Sequence, residues 1–280
     1  MARIIGGIGT SHTPTIGISF DKGKQQDPDW KPLFDGYVPV VQWLEKQKPD
    51  VLVFFYNDHG TSFFFDHYPT FAVGLSEQHV VADEGMGLRP LPPVAGHPAL
   101  GRHITESLIN AEFDLSVFSD IAIDHGVFSP LSVLWPEHKT GWPGAVLPIE
   151  MNVIQHPMPT PRRCYKLGQA MRTAIESYPE DLKVVVVGTG GLSHQMQGER
   201  AGYNDEVWDR EFLRLIHSDP EQLAAMRHAD FIQRGGTEGA EIIMWLAMRG
   251  ALSSQARLLH QNYYLAMTCA WGLSLWEEPL

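Results

Sequence analysis

The chain has 280 residues, of which 44% are hydrophobic and 19% charged, a balance typical of a globular protein with a substantial core. Its formal net charge of −12 argues against nucleic acid as a partner, because phosphate contacts require clustered Lys and Arg. Cys164 and Cys269 form no motif with each other and fit a reducing cytoplasm better than a disulfide framework. We see no signal peptide at the N-terminus and no apolar run long enough to span a membrane, so we expect a soluble, cytoplasmic protein with one domain over residues 1–280.

Runs of apolar residues predict the strands of a sheet. Residues 3–8 form the first run, and residues 51–56 are apolar throughout rather than alternating, which is typical of a strand covered on both faces. Further strands are predicted at 69–75, 115–123, 145–153 and 182–188.

Helical patterns fall between or after these strands. In residues 37–47 the side chains of Val38, Val41 and Leu44 recur at helical spacing. Further helices are predicted at 97–113, at 161–177 after the N-cap Thr160, from 218–221 onward, and at 238–249 between the N-cap Thr237 and the terminating Gly250. Strands that alternate with helices predict a three-layer α/β/α domain with a mostly parallel central sheet.

Two segments lack any periodicity. Residues 17–36 and 77–99 are rich in Gly, Pro and charged residues. Long loops of this kind in compact domains often carry function, so we predict that both are functional surface loops.

Four of the 13 histidines follow predicted strands, namely His12, His59, His125 and His194. In open parallel sheets, ligands bind outside the carboxyl ends of the strands, so these side chains would converge on one crevice if the strands are parallel. Any one of them alone is better explained as a turn or hydrogen-bonded residue. Their recurrence beside Gly, Ser, Asp and Asn favours a site, whereas a structural or surface role is favoured for the other nine.

Two glycine-rich turns lead into Ser-His pairs. The turn "GTGGLSH" (188–194) lacks the lysine of a phosphate-binding loop, and Pro14 breaks a dinucleotide-binding pattern in "GGIGTSHTP" (6–14). Neither Ser11 nor Ser193 lies in the G-x-S-x-G pattern of a nucleophilic serine. The histidines remain, either as metal ligands or as acid–base groups.

Glu241 is the carboxylate that could complete a metal site. It shares a helix face with Trp245 and Met248, and a carboxylate on an apolar stripe is costly unless it is paired or bound to a metal. A favourable interaction with the helix dipole explains Glu241 equally well. Two histidines and one carboxylate are typical of non-haem Fe(II) oxygenases, but zinc hydrolases use the same ligand types, so the metal stays open.

Six motifs carry a resemblance to a known family. They are "GTSHTP" (9–14), "FFYNDHGTSFFFD" (54–66), "ADEGMGLRP" (82–90), "DHGVFSPLS" (124–132), "GTGGLSHQMQGERAG" (188–202) and "GAEIIMWLAMRGAL" (239–252). In this order they resemble the class III extradiol ring-cleavage dioxygenases across most of the chain, most closely the catalytic beta subunits of protocatechuate 4,5-dioxygenases. Val127 is a local departure, since the family often has Cys or another small polar residue there.

The resemblance implies a role for each singled-out residue. His12, His59 and Glu241 would be the Fe(II) ligands, His194 the base near a substrate hydroxyl, and His125 a second active-site histidine that interacts with dioxygen. The implied reaction is extradiol cleavage of a carboxylated catechol with O₂, with protocatechuate giving a carboxymuconic semialdehyde.

Several alternatives stay open. Gallate or 3-O-methylgallate is the nearest substrate alternative, and a zinc-dependent hydrolase or a non-catalytic relative would belong to other functional classes. The resemblance also implies a separate small helical alpha subunit, because no helical segment follows "LSLWEEPL", or failing that a homodimer. Residues 17–36 and 77–99 are the candidate contact surfaces.

Overall fold

The structure is a computed structural model that describes residues 1–266 and 268–279. The strands are β1 (Arg3–Thr10), β2 (Val51–Tyr56), β3 (Phe71–Gly74), β4 (Gln78–His79), β5 (Val94–Ala95), β6 (Ser116–Phe118), β7 (Ala145–Met151), β8 (Lys183–Thr189), β9 (Arg257–Ala266) and β10 (Cys269–Glu277). The α-helices are α1 (Pro14–Asp21), α2 (Lys31–Gln47), α3 (Pro98–Asn110), α4 (His125–Leu134), α5 (Pro161–Glu176), α6 (Glu206–Ser218), α7 (Pro220–Ala225), α8 (His228–Gly235) and α9 (Met244–Ala251). Short 3₁₀ segments occur at Lys24–Gln26, His138–Thr140 and Glu238–Ile243.

An eight-stranded sheet runs in the order β6-β3-β7-β2-β8-β1-β10-β9, while β4 and β5 pair separately. Its centre, β7-β2-β8-β1, is parallel throughout. Antiparallel pairs join β3 to β7 on one side, and β1 to β10 and β10 to β9 on the other. The predicted mostly parallel central sheet is confirmed. The antiparallel pairs toward both edges were not predicted.

Alternate residues of the central strands face two different cores. In β2, Val53 and Phe55 belong to the core beneath α3, α5 and α9, whereas Leu52 and Phe54 belong to the core beneath α1, α2 and α4. Helices therefore cover both faces of the sheet, which explains why this strand is apolar at every position. The three-layer α/β/α architecture is confirmed.

The predicted loop at 17–36 is wrong. Helix α1 extends into it as far as Asp21, and α2 begins at Lys31, so only residues 22–30 of the segment lie outside the two α-helices. Helix α2 has Pro32 in its first turn, where the missing N–H of proline costs nothing, so this proline begins a helix instead of marking a loop. Residues 77–99 do form an extended segment, apart from the short β4–β5 pair and the start of α3.

Two element boundaries also differ from prediction. Only Ser116–Phe118 of the predicted strand 115–123 pairs in the sheet, so the strand ends well before His125. The predicted helix at 238–249 is a 3₁₀ turn followed by α9, which contains Gly250 and ends at Ala251. Thr237 is not its cap, because its backbone is already helical (φ −62°, ψ −51°) and its side chain makes no capping hydrogen bond with the described residues.

The helices predicted at 97–113, at 161–177 and from 218–221 onward correspond to α3, α5 and α7. Thr160 caps α5 by accepting from Arg163 N–H, and Asp219 caps α7 by accepting from Gln222 N–H. Among the residues described, no helix combines the length and the apolar character that crossing a membrane requires.

Candidate metal centre

The carboxyl ends of three neighbouring parallel strands bring the predicted histidines together. His12 follows β1, His59 follows β2, and His194 follows β8, which lies between these two strands. The ring centroids of His12 and His59 are 5.0 Å apart. His125 joins them as the first residue of α4 rather than from a strand, with its ring 3.9 Å from His59 and 5.5 Å from His12.

The glycine-rich turn before His194 allows the backbone to pass directly against Glu241. Gly190 has φ +102°, and a Cβ atom there would lie 2.5 Å from the Cβ of Glu241. The serines of both Ser-His pairs are structural: Ser193 Oγ donates to Asp209 at 2.7 Å, and Ser11 Oγ accepts from Gly272 N–H at 3.0 Å. The turn therefore serves to place Glu241 and His194 next to each other.

Glu241 is buried between the two predicted imidazole ligands. Its Oε2 lies 3.0 Å from His12 Nε2, and its Oε1 lies 3.1 Å from His59 Nε2. Donor atoms at right angles around one ion, each about 2.1 Å from it, are about 3.0 Å apart. The separations and the donor types therefore fit a divalent cation held by two imidazoles and one carboxylate.

Hydrogen bonds to the far side of each ring leave the correct nitrogen for a metal. Thr189 Oγ1 donates to Phe55 O, so it accepts from His12 Nδ1–H at 2.9 Å. The Asp124 carboxylate accepts from His59 Nδ1–H at 2.8 Å. Both Nε2 atoms can then offer a lone pair, as metal-binding histidines require.

Asp124 was not identified from the sequence. Its Oδ2 also accepts from the His59 backbone N–H at 2.7 Å, and its Oδ1 caps α4 by accepting from Gly126 N–H at 2.9 Å. One carboxylate thus links His59 to the helix that begins with His125. The signal that could have revealed it is an Asp at a helix N-cap immediately before the "HG" pair.

The charges of the cluster depend on one another. Burial lowers the pKa of His12. Burial also lowers the pKa of His59, but the Asp124 and Glu241 carboxylates outweigh it and raise that pKa well above its usual value. Burial raises the pKa of Glu241, but His12 and His59 outweigh it and hold that pKa well below its usual range. A cation that binds here must displace the proton of His59.

His194 lies farther from Glu241 than His12 and His59 do. Its Nδ1–H donates to Leu192 O at 2.9 Å, and its Nε2 is 3.9 Å from Glu241 Oε2. Burial lowers the pKa of His194, while Cys269 and Glu241 outweigh it and raise the pKa to about 10. A cation held by Glu241 opposes that increase, because it cancels the carboxylate's charge and favours the neutral imidazole.

All five predicted side chains line one cavity of about 280 Å³. Pro14, Met196 and Trp271 supply apolar parts of its wall. A second cavity, of about 340 Å³, shares Pro14 and His125 with the first. The volume and lining of the first cavity suit a small ligand that contacts the cluster.

Comparison with known proteins identifies the family of the chain. The family described as "Catalytic LigB subunit of aromatic ring-opening dioxygenase" matches residues 6–275. A protein named gallate dioxygenase from Pseudomonas putida is 56% identical over 185 residues, which is 66% of this chain but only 54% of that protein. A 2,3-dihydroxyphenylpropionate/2,3-dihydroxicinnamic acid 1,2-dioxygenase from Burkholderia vietnamiensis is 32% identical, with 92% of this chain and 91% of that protein covered.

The fold also matches a solved structure. An uncharacterized protein from Escherichia coli K12 superposes with a TM-score of 0.55 at 13% identity, with 97% of this chain and 99% of that chain covered. At this identity the likeness concerns the fold alone. The family match spans both the sheet and the cluster, and the chain therefore belongs to the family of catalytic LigB subunits of aromatic ring-opening dioxygenases.

Proposed function

We propose that residues 1–280 form the catalytic domain of a cytoplasmic non-haem Fe(II) extradiol dioxygenase that opens the ring of a carboxylated catechol with O₂. The observation that carries the proposal is the contact of Glu241 with both His12 and His59, at 3.0 and 3.1 Å. Two imidazoles and one carboxylate with open positions are the ligand set of non-haem Fe(II) oxygenases.

The similarity to a protein named gallate dioxygenase bears on the substrate. It supports gallate at least as well as protocatechuate, and 3-O-methylgallate belongs to the same chemical class. We expect all three compounds to present a planar ring with adjacent oxygens to the cluster. The small helical alpha subunit and the homodimer both stay predictions.

His12, His59 and Glu241 are the residues that would hold the iron. When bound, Fe(II) supplies a centre that binds the diol and dioxygen together and passes electron density between them. The hydrogen bonds from His12 to Thr189 and from His59 to Asp124 keep both imidazoles oriented for this purpose.

His194 would take the proton that the diol must lose. Its Nδ1–H is fixed by Leu192 O, so the Nε2 lone pair is the atom available on the side of Glu241 and the cavity. An imidazole in that position accepts a proton from a hydroxyl group in hydrogen-bond reach and returns it later. His125 lines the same cavity and can hold or donate a second proton.

Three substitutions test these roles. His12→Ala and Glu241→Ala should lose iron and activity together, because each removes a ligand. His194→Ala should retain iron while turnover falls by roughly 10²–10⁴, the usual range for a lost general base. Metal analysis and oxygen uptake on the same samples make the distinction.

The matched control is His260→Ala, since His260 bonds to Gly36 O away from the cavity. It should change neither iron content nor turnover. If His194→Ala abolishes iron binding, the roles of ligand and base have been interchanged.

A further inference from the structure

The imidazole of His125 has a carboxylate partner, Glu84, in the segment between β4 and β5. Glu84 Oε1 accepts from the His125 backbone N–H at 2.9 Å, and Oε2 accepts from His125 Nδ1–H. Both side chains are largely buried, with 10% of His125 and 19% of Glu84 exposed. One carboxylate therefore holds the backbone and the ring of the same residue.

The loop that carries Glu84 is attached to the helix that His125 begins. On one side of Glu84, Ala82 N–H donates to Ile123 O at 2.8 Å, just before α4. On the other side, Arg89 Nη1 donates to Phe128 O within α4 at 3.0 Å. The position of Glu84 relative to His125 is thus fixed from both ends of the loop.

A tight turn inside the loop supports this attachment. Asp83 Oδ1 accepts from the backbone N–H groups of Gly85 and Gly87, at 2.9 and 3.2 Å. Both glycines have left-handed φ angles, 84° and 91°, which a side chain would strain. The turn reverses the chain directly after Glu84 and brings Arg89 back to α4.

The chemistry of the contact selects one tautomer of His125. An ionised carboxylate only accepts hydrogen bonds, so Nδ1 must carry the hydrogen. In the neutral ring, Nε2 is then the free acceptor. His125 offers a nitrogen within 4.8 Å of nitrogens of His12 and His59, so a change of tautomer or ring orientation would act directly beside the proposed iron ligands.

We propose that Glu84 is a positioning residue that holds His125 in the Nδ1–H tautomer and presents Nε2 to the 280 Å³ cavity. The importance of this orientation for ring cleavage rests on the proposed function. The tautomer itself does not depend on the proposed function, because Glu84 and its loop select it in the absence of any substrate or metal.

Nitrogen NMR of metal-free protein labelled with ¹⁵N-histidine tests the tautomer. At alkaline pH, where a free imidazole is neutral, the His125 signals should show a protonated Nδ1 and an unprotonated Nε2. The His125 signals are those missing from His125→Gln. In Glu84→Ala the same ring should show a mixture of tautomers, while Glu206→Gln, which removes an exposed carboxylate that pairs with Arg210, should leave it unchanged.

Two results would overturn the proposal: a protonated Nε2 of His125 in the unaltered protein, or an unchanged tautomer of His125 in Glu84→Ala. Both are independent of whether the enzyme opens a ring. With iron and a catechol, Glu84→Ala should retain its metal and KM, while kcat falls roughly 10–100-fold, the range known for partners that orient metal-bound histidines. Loss of iron in this variant would contradict the assignment, because it would make Glu84 a support of the ligand set instead.

Discussion

Asp124→Asn tests whether the hydrogen bonds behind His59 control metal binding. The carboxylate accepts three hydrogen bonds, from His59 N–H, His59 Nδ1–H and Gly126 N–H. An amide of the same size has only one accepting oxygen. Its NH₂ group must therefore face either the two donors of His59 or the N–H group that caps α4.

The expected cost follows from these two arrangements. If the amide oxygen stays on His59, α4 loses its cap, which costs about 1 kcal/mol of folding free energy. If the oxygen stays on Gly126, His59 Nδ1–H faces a donor and the ring turns. In both cases His59 loses a negatively charged partner, so we expect Fe(II) affinity to fall about 10–100-fold, or about 1.4–2.8 kcal/mol.

Anaerobic competition with a chromophoric chelator measures this affinity. Asp219→Asn is the matched control, because Asp219 also caps a helix through one N–H group but lies outside the cavity. The control should keep the affinity of the unaltered protein. If Asp124→Asn binds Fe(II) as tightly as the control, Asp124 does not orient His59 and the reasoning fails.

Two further predictions concern stability. In Gly168→Ala, the added Cβ would lie 2.0 Å from the carbonyl oxygen of Ala247, so α5 and α9 must separate. We expect the free energy of unfolding, measured by chemical denaturation, to fall by about 1–3 kcal/mol. The control Gln169→Ala changes an exposed neighbour and should cost less than about 0.5 kcal/mol. Equal denaturation midpoints for the two variants would contradict a close contact between Gly168 and Ala247. Burial raises the pKa of Asp209 to about 6 despite the opposing bonds from Ser193. The native chain then retains a proton that the unfolded chain releases near pH 4, so the free energy of unfolding should decrease by up to about 3 kcal/mol as pH rises from about 4 to 6. In Asp209→Asn, chemical denaturation over this pH range should show no such decrease in the free energy of unfolding. An unchanged pH dependence in this variant would contradict the raised pKa of Asp209.

The parts of the fold that were predictable are those with a local signal. The central strands β1, β2, β7 and β8 are largely apolar and buried, as a strand covered on both faces requires. Strand β9 was missed because it mixes polar and apolar side chains, as in "HQNYY" (260–264), and carries no such signal. The loop predicted at 17–36 failed because α1 extends into it and Pro32 lies in the first turn of α2.

In the site, too, the residues that were predicted are those with a local signal in the sequence. His12, His59 and His194 were found because each follows a strand, and the parallel order of β2, β8 and β1 brings those strand ends together. The residues that hold the rings could not be found from spacing. Glu84 is 41 positions from His125, and Asp124 is 65 positions from His59, so only the folded chain shows these pairs.

Oxygen uptake after anaerobic reconstitution tests the central claim most directly. Separate samples loaded with Fe(II) or Zn(II) are mixed with gallate or protocatechuate and exposed to air, with metal content measured on each. We expect the Fe(II) sample to consume one O₂ for each ring opened and the Zn(II) sample to consume none. Turnover with Zn(II) but not with Fe(II), or full Fe(II) occupancy without oxygen uptake on any carboxylated catechol, would contradict a ferrous ring-opening enzyme built on His12, His59 and Glu241.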